Sequence, residues 1–445
     1  MGAPSHPLRI AIIGGGWAGM AAAIALQQQG HQLHIWEASR TWGGRARALT
    51  LQSPHQETTW TVDNGQHVLI GAYQACLDVM ATVGSDCATG LLRLPLDLRY
   101  ADGSGLHLPH LAPPWDAAIG IARTRGWSWR EKLALLQTAS TWQRQQFSCA
   151  AHASVADICQ GLPAKLMQDF VDPLCISALN LPAHQASGRI FLRVLQDGLF
   201  SGKGGSNLLI PRVDLSTLFP ATAAQWLQAR GAQLHLGYRV QAILRQPKGP
   251  GWLVEGQAVD AVLLATACAD AARLAQTIDM PTAQAWAHTA QALPHTAIAT
   301  VYAHCPPVPG AGQHVLPAPM VALRSSAHAP AQFAFDKGQL GGPAGLLALV
   351  VSASEGDTQT LQSQVITQAQ AQLGLPQLRA LKTVIDKRAT FACTPGVQRP
   401  SAAIAPELWA CGDYIDGPYP ATLEGAVRSG LSAAQAVITA ATQRC

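Results

Sequence analysis

The chain has 445 residues, 48% of them hydrophobic and only 13% charged, with a formal net charge of +4. That length and apolar content allow two domains with large buried surfaces, and so small a charge excess argues against a nucleic-acid binder acting through phosphate neutralisation. The ten cysteines form neither a C-x-x-C pair nor a cluster with histidines at ligand spacing, so neither a metal site nor a disulfide framework is expected, and a reducing cytoplasm is the expected compartment.

Met1–Gly2 is followed by no Ser or Thr at position 6, and no basic region precedes an apolar core. Neither N-myristoylation nor a secretory leader is expected. No run of about 18 uninterrupted apolar residues occurs, so no spanning helix is expected either. The first apolar run, Leu8 to Ile13, is short and rich in β-branched residues, as in a buried strand. Gly14, Gly16 and Gly19 follow at the spacing G-x-G-x-x-G, and a helix from Met20 to Gln29 closes at Gly30. This order describes a dinucleotide-binding unit. Gly14 permits the tight turn, Gly16 lets backbone approach a pyrophosphate, and Gly19 lets the helix pack on the strand. The helix start, with Trp17 and Ala18, attracts phosphate charge. A second strand, Gln32 to Trp36, delivers Glu37 twenty-three residues after Gly14, with Ala38 beside it. A carboxylate there accepts hydrogen bonds from both hydroxyls of an adenosine ribose and disfavours a 2′-phosphate.

Arg40-Thr-Trp-Gly43-Gly44-Arg45-Ala-Arg47 resembles the GGR element that follows the ribose acid in flavoproteins of the amine oxidase and carotenoid desaturase superfamily. The resemblance implies FAD rather than NAD, with Gly44 and Arg45 near the pyrophosphate. Trp60 to Gly71 then reads as a strand broken by the polar turn Asp63-Asn64-Gly65-Gln66-His67 and resumed. Such a break lets backbone lie against a flat ring. In the related flavoproteins this turn passes near the isoalloxazine, which makes Gly65, Gln66 and His67 cofactor contacts and His67 a catalytic candidate. A histidine in an apolar stretch is more often a structural residue.

From about Tyr73 to Gln146 the glycine signals fade and helical spacing takes over, as in Leu133, Leu136 and Trp142, which marks an inserted domain. Within it Arg123, Arg125, Arg130 and Lys132 interleave with Trp127 and Trp129. Indoles beside cations suit the headgroup layer of an acidic bilayer. They suit a helix start with packed tryptophans as well. Peripheral contact with the inner face of the cytoplasmic membrane through Trp127 and Trp129 and a purely structural role therefore both stand.

A closer resemblance lies in Phe170 to Pro182, Ser187 to Phe200 and Gly204 to Leu215. Together with Asp63 to His67 and the C-terminal segment below, these stretches resemble the hydroxysqualene dehydroxylases, an FAD-dependent family of bacterial squalene and hopanoid biosynthesis. The match spans most of the chain and is weakest at 91–153 and 275–389. The resemblance implies that hydroxysqualene, an allylic alcohol, loses its hydroxyl as water and receives hydride from reduced FAD to become squalene. Asp172, Cys175, Asn180, Arg193 and Asp197 are polar groups in apolar helices and candidates to line a tunnel for that polyene. Asp172 and Asp197 join His67 as candidate proton donors, alongside a bound water. Arg193 and Asp197, four apart, form a structural ion pair equally well.

Leu218 to Gly231 reads as a helix, Leu234 to Leu244 and Gly251 to Gly256 as paired strands, and Val259 to Ala267 as a buried strand returning to the nucleotide domain. The superfamily resemblance implies Val240 against the adenine and Ala265 at a turn near the diphosphate. Strand-like runs at Ala297–Ala303, Gln332–Phe335 and Leu346–Ser352 complete the substrate domain. The last signal, Leu408 to Gly430, is a strand ending in Gly412-Asp413, a Pro-containing loop and a small-residue helix. In the resembled superfamily it is the third FAD contact, with Asp413 on the ribityl chain and the N–H groups of Thr422 and Leu423 at the flavin pyrimidine. The tail Thr442 to Cys445 carries no prenylation signal.

The expected fold is α/β: a Rossmann-like FAD-binding domain of GR2 type from residues 1–75, 206–270 and 391–445, with an inserted mixed α+β substrate domain from 76–205, a helical and membrane-facing part, and 271–390. Three alternatives stand beside the dehydroxylase. A carotenoid desaturase would run the hydride the other way, an amine oxidase would need an aromatic cage that Tyr414 and Tyr419 could join, and a carrier of isoprenoid proteins would bind FAD without catalysis. No motif identifies an electron donor.

Overall fold

The computed structural model describes residues 7–54, 58–200, 202–247, 249–306 and 314–443. Met1–Gly2 and Arg444–Cys445, where lipidation signals would sit, lie outside the described residues. Strand β1 (Arg9–Ile13) runs between two parallel neighbours, β2 (Gln32–Glu37) and Ala261–Leu264, with Ile10 opposite Leu33 and Ala261. A parallel strand covered on both faces needs continuous apolar sequence, which β1 has. The sheet runs Gln233–Leu236, β2, β1, Ala261–Leu264, Leu408–Ala410, Ala403–Ala405, with only the last strand antiparallel. Three distant parts of the chain thus supply one sheet.

Helix α1 (Trp17–Gln28) starts three residues before the expected Met20, because Gly16 already takes the extended N-cap conformation. Nine of its twelve residues are buried. A helix apolar on all sides belongs inside, and α1 packs against the helices Pro220–Gln228 and Leu423–Thr442. Small residues permit the approach: a Cβ on Gly430 would stand 2.1 Å from the Ala18 carbonyl oxygen.

Two expected elements divide. The helix expected from Leu218 to Gly231 is two, Leu215–Leu218 and Pro220–Gln228, since Pro220 has no N–H and pushes Phe219 out of helical geometry. The expected pairing of Leu234–Leu244 with Gly251–Gly256 gives way to two separate strands. Gln233–Leu236 joins β2 in the main sheet, Gly237 turns the chain at φ +74°, and Ile243–Arg245 pairs with Trp252–Val254.

The second large sheet is antiparallel, in the order Met320–Ala322, Phe333–Asp336, Leu346–Ser352, His295–His304, Arg379–Phe391. Residues 76–205 hold the helices Trp115–Arg123, Trp129–Arg144, Asp172–Leu179 and Gly188–Leu199, and also the short strands Leu91–Leu94, Asp97–Arg99 and Gly105–His107. Among the described residues no helix is long and apolar enough to cross a membrane, and nine cysteines are free.

Candidate active site

The C-terminal ends of β1, β2 and Ala261–Leu264 open on a cavity of about 1000 Å³ that reaches the strands His295–His304 and Arg379–Phe391. It sits where neighbouring connections leave the sheet in opposite directions, the usual crevice for a dinucleotide. Its volume is at the upper end of ordinary ligand sites, roughly 300–1000 Å³, so it suits a large cofactor with a second molecule beside it.

The glycines divide by what surrounds them. Gly14, at φ +117°, would carry a Cβ 2.4 Å from the Ala265 carbonyl oxygen, and a Cβ on Gly19 would meet the Gly14 carbonyl oxygen at 2.1 Å. Gly19 therefore seats α1 against the turn and does not line the cavity. At Gly16 the nearest atom to a Cβ is 3.8 Å away. The protein itself leaves that space, and it opens on the cavity. The start of α1 has no side-chain cap and no acid in its first turn, and the buried Trp17 Nε1 has no partner among the described residues. These features fit the diphosphate of a dinucleotide.

At the same end Glu37 is buried, accepting the Gly15 N–H at 2.8 Å and the Ser39 N–H at 2.7 Å. Trp17, Ala18, Ala38, Val240 and Ala265 line the wall with it. At the middle, Gly44, Arg45, Gly412 and Asp413 converge. Arg45 donates to the Asp413 carboxylate and, at 2.7 Å, to the Ala389 carbonyl. Arg399 holds the following loop by donating to the carbonyls of Asp413, Ile415, Gly417 and Tyr419. Thr422 caps the C-terminal helix by accepting the Gly425 N–H at 3.1 Å, and Leu423 lines the cavity in its first turn. Glu424, next along, is buried and accepts the backbone N–H groups of Ala75 and Cys76 at the start of the helix Gln74–Thr82, together with Arg428 Nε.

Gln66 and His67 line the cavity, whereas Gly65 lies behind them, 3.8 Å from the His67 ring at its would-be Cβ. Burial pushes the His67 imidazole down to about 4, so the ring is neutral near pH 7, and its buried Nδ1 has no partner among the described residues. Lys337 Nζ donates to Gln66 Oε1 at 3.2 Å. Behind the turn, burial lifts the Asp63 carboxyl to about 7, against the pull of the Leu215 N–H and of Lys337.

Of the acids proposed from sequence, Asp197 reaches the cavity and Asp172 does not. Asp172 is exposed and borders a separate cavity of about 290 Å³ with His184 and Ser325. Ser177 and Ala178, which do line the main cavity, lie five and six residues further on and hence on other sides of the same helix. Asp172 is thus removed from the candidate proton donors of the main cavity. Asp197 accepts from Arg193 Nε at 2.9 Å, and Arg193 donates to the Tyr419 hydroxyl at 3.0 Å. Asn180 also lines the cavity; its side-chain amide donates to Thr296, Ala297 and Thr390, joining its helix to the strand His295–His304 and to the edge strand Arg379–Phe391 of the antiparallel sheet. Tyr414, proposed with Tyr419 for an aromatic cage, packs behind Gly412 and does not line the cavity. Trp127, proposed for membrane contact, is only 6% exposed and donates to Asp169 at 3.3 Å, while Trp129 is 69% exposed. Glu424 was not singled out from the sequence, where its only signal is an acid in a helix first turn. Arg399 left no sequence signal, because its partners are carbonyls.

A parallel sheet whose glycine turn, acid and last helix face one cavity, continued into a second sheet, defines a dinucleotide-binding protein. The chain belongs to the flavin containing amine oxidoreductase family, whose model matches residues 17–438, and it is an FAD-dependent oxidoreductase. It is 26% identical to the hydroxysqualene dehydroxylase of Rhodopseudomonas palustris across 96% of this chain and 98% of that one. To the hydroxysqualene dehydroxylase of Sinorhizobium fredii it is 24% identical across 97% and 99%. Its fold is shared with a crystal structure of an oxidoreductase from Methanosarcina mazei, at a TM-score of 0.70 and 16% identity, covering 96% of this chain and all of that one.

Proposed function

We propose that the protein converts hydroxysqualene to squalene. The observation that carries the reading is that Val68, Ile70, Val194, Ile298 and Val384 give the cavity an apolar share of its lining; the near full-length likeness to two hydroxysqualene dehydroxylases supports it. Bound in reduced form, FAD supplies the hydride that replaces the hydroxyl. The chain's own groups hold it. Gly14, Gly16, Trp17 and Ala18 at the start of α1, with Gly44, Arg45 and Ala265, take the diphosphate; Glu37 and Ala38 the ribose; and Val240 the adenine. Gly412 and Asp413 would take the ribityl chain, Thr422 and Leu423 the pyrimidine edge, and Gln66 and His67 would flank the ring.

The apolar wall keeps water from the polyene, whose burial is worth on the order of 10–20 kcal/mol before ordering costs, at about 0.8 kcal/mol per methylene. The C–O bond breaks and the oxygen leaves as water with one added proton. We place the departing hydroxyl at the Arg193–Tyr419 pair. The Tyr419 oxygen accepts from Arg193, which leaves its own proton to donate. His67, neutral, offers a hydrogen bond and no acidic proton. The test is anaerobic: protein with chemically reduced FAD is mixed with hydroxysqualene, and flavin absorbance and product mass are followed. Squalene formed in step with flavin reoxidation supports the reading. In a parallel sample holding oxidised FAD, flavin reduction on adding phytoene or an amine moves the protein to a desaturase or an amine oxidase.

A further inference from the structure

Among the described residues nine large apolar side chains are exposed, and five of them fall between Leu111 and Leu136. Monomers scatter such residues singly, whereas a cluster marks a contact surface. Here the cluster is ordered by two helices. In Trp129–Arg144 the exposed apolar residues are Trp129, Leu133 and Leu136, spaced i, i+4, i+7 on one face. In Trp115–Arg123 the indole of Trp115 is 65% exposed, and Ile119 and Ala122 follow it at the same spacing. The two helices are joined where the faces meet: Lys132 Nζ donates to the Ala122 carbonyl at 2.7 Å and lies 4.9 Å from the Trp129 ring centroid.

Charge completes the pattern. Arg123, Arg125 and Arg130 are exposed around this junction. The two acids of the segment are engaged locally, Asp116 being buried and Glu131 closing the capping box with Ser128. Apolar faces with exposed indoles, rimmed by cations that form no ion pair among the described residues, complement an anionic bilayer, in which rings settle at the headgroup boundary and arginines meet lipid phosphate. Trp127 takes the other role at this corner. It turns inward, donates to Asp169 and stands edge-on to Phe170 at 6.1 Å, which fixes the two helices to the segment leading into the cavity-lining helix Asp172–Leu179.

We propose that Trp115, Trp129, Leu133 and Leu136, with Arg123, Arg125 and Arg130, form a docking surface for an anionic lipid bilayer. The inference stands on this surface and does not require the substrate reading. The test uses FAD-loaded full-length protein sedimented with vesicles of phosphatidylcholine alone or mixed with phosphatidylglycerol. The wild type is expected to pellet with the mixed vesicles and much less with phosphatidylcholine. A variant combining Arg123→Gln, Arg125→Gln and Arg130→Gln should bind the mixed vesicles roughly a hundredfold more weakly, at about fivefold per arginine. A Trp115→Ser, Trp129→Ser, Leu133→Ser variant should fail to pellet with either vesicle while keeping its flavin spectrum. Because all these side chains are exposed, folding survives their replacement. A wild type that pellets with neither vesicle, or a serine variant that pellets like the wild type, overturns the proposal. So does a wild-type dimer on gel filtration that the serine variant dissociates, because the face would then belong to a second copy of the chain.

Discussion

Arg45, on the loop after the ribose acid, is ion-paired with Asp413, 368 residues further along, so the first and last loops of the cavity are fastened to each other. Asp413→Ala frees both. The variant is expected to fold and to lose flavin absorbance on desalting, its FAD affinity falling tenfold or more, about 1.4 kcal/mol. Stoichiometric flavin retained through desalting places the pair outside the cofactor's grip.

Gly16 and Gly430 should respond oppositely to one added methyl group. Gly16→Ala meets no protein atom closer than 3.8 Å, so urea denaturation of the flavin-free variant should match wild type while FAD titration shows weaker binding. Gly430→Ala drives a Cβ to 2.1 Å from the Ala18 carbonyl oxygen and is expected to lower stability by about 1–3 kcal/mol. An unchanged FAD titration for Gly16→Ala speaks against a ligand at that turn.

Glu424→Ala strips the acceptor from two backbone N–H groups at the start of the helix Gln74–Thr82 and leaves them buried. The expected cost is about 2–4 kcal/mol, read as a shift in the urea midpoint. Glu424→Gln keeps one carbonyl acceptor and should recover part of it.

Asp63 and His67 pull stability in opposite directions with pH. Burial raises Asp63 from 3.8 to about 7, so its contribution is complete below 3.8 and is lost as pH rises towards 7. Burial lowers His67 from 6.5 to about 4, so its contribution is complete above 6.5 and is lost as pH falls towards 4. Between about pH 4 and 6.5 the two slopes oppose each other, at roughly 1.4 kcal/mol per pH unit each. Relative to wild type, Asp63→Asn should gain stability with rising pH across that window and His67→Gln should lose it, as urea titrations at several pH values will show. Parallel curves for all three proteins remove the assignment.

The nucleotide end was legible because each of its signals reports a local need. Gly14 and Gly19 stand where neighbouring backbone excludes a side chain, and Glu37 stands where a strand ends. The rest depends on partners that sequence spacing does not reveal. Arg399 acts on carbonyls 14 to 20 residues away, and Glu424 on N–H groups 348 and 349 residues back. Trp127 and Trp129 form one motif in the sequence, yet two residues of backbone turn one ring into the core and the other outward. Asp172 looked like Asp197, an acid in an apolar helix, and only helix phase separates them. Arg379–Phe391 was missed as a strand because it carries five of its charges along a half-covered edge, where alternation is weak.

The strand Leu408–Ala410 is wedged beside Ala261–Leu264, and the loop after it closes the cavity whose opposite lip is the turn at Gly14. A ribosome must therefore have passed Ala410 and the loop after it before the pocket has both jaws. A nascent chain stalled before this loop should emerge colourless, and the yellow of bound flavin should report that synthesis had passed it.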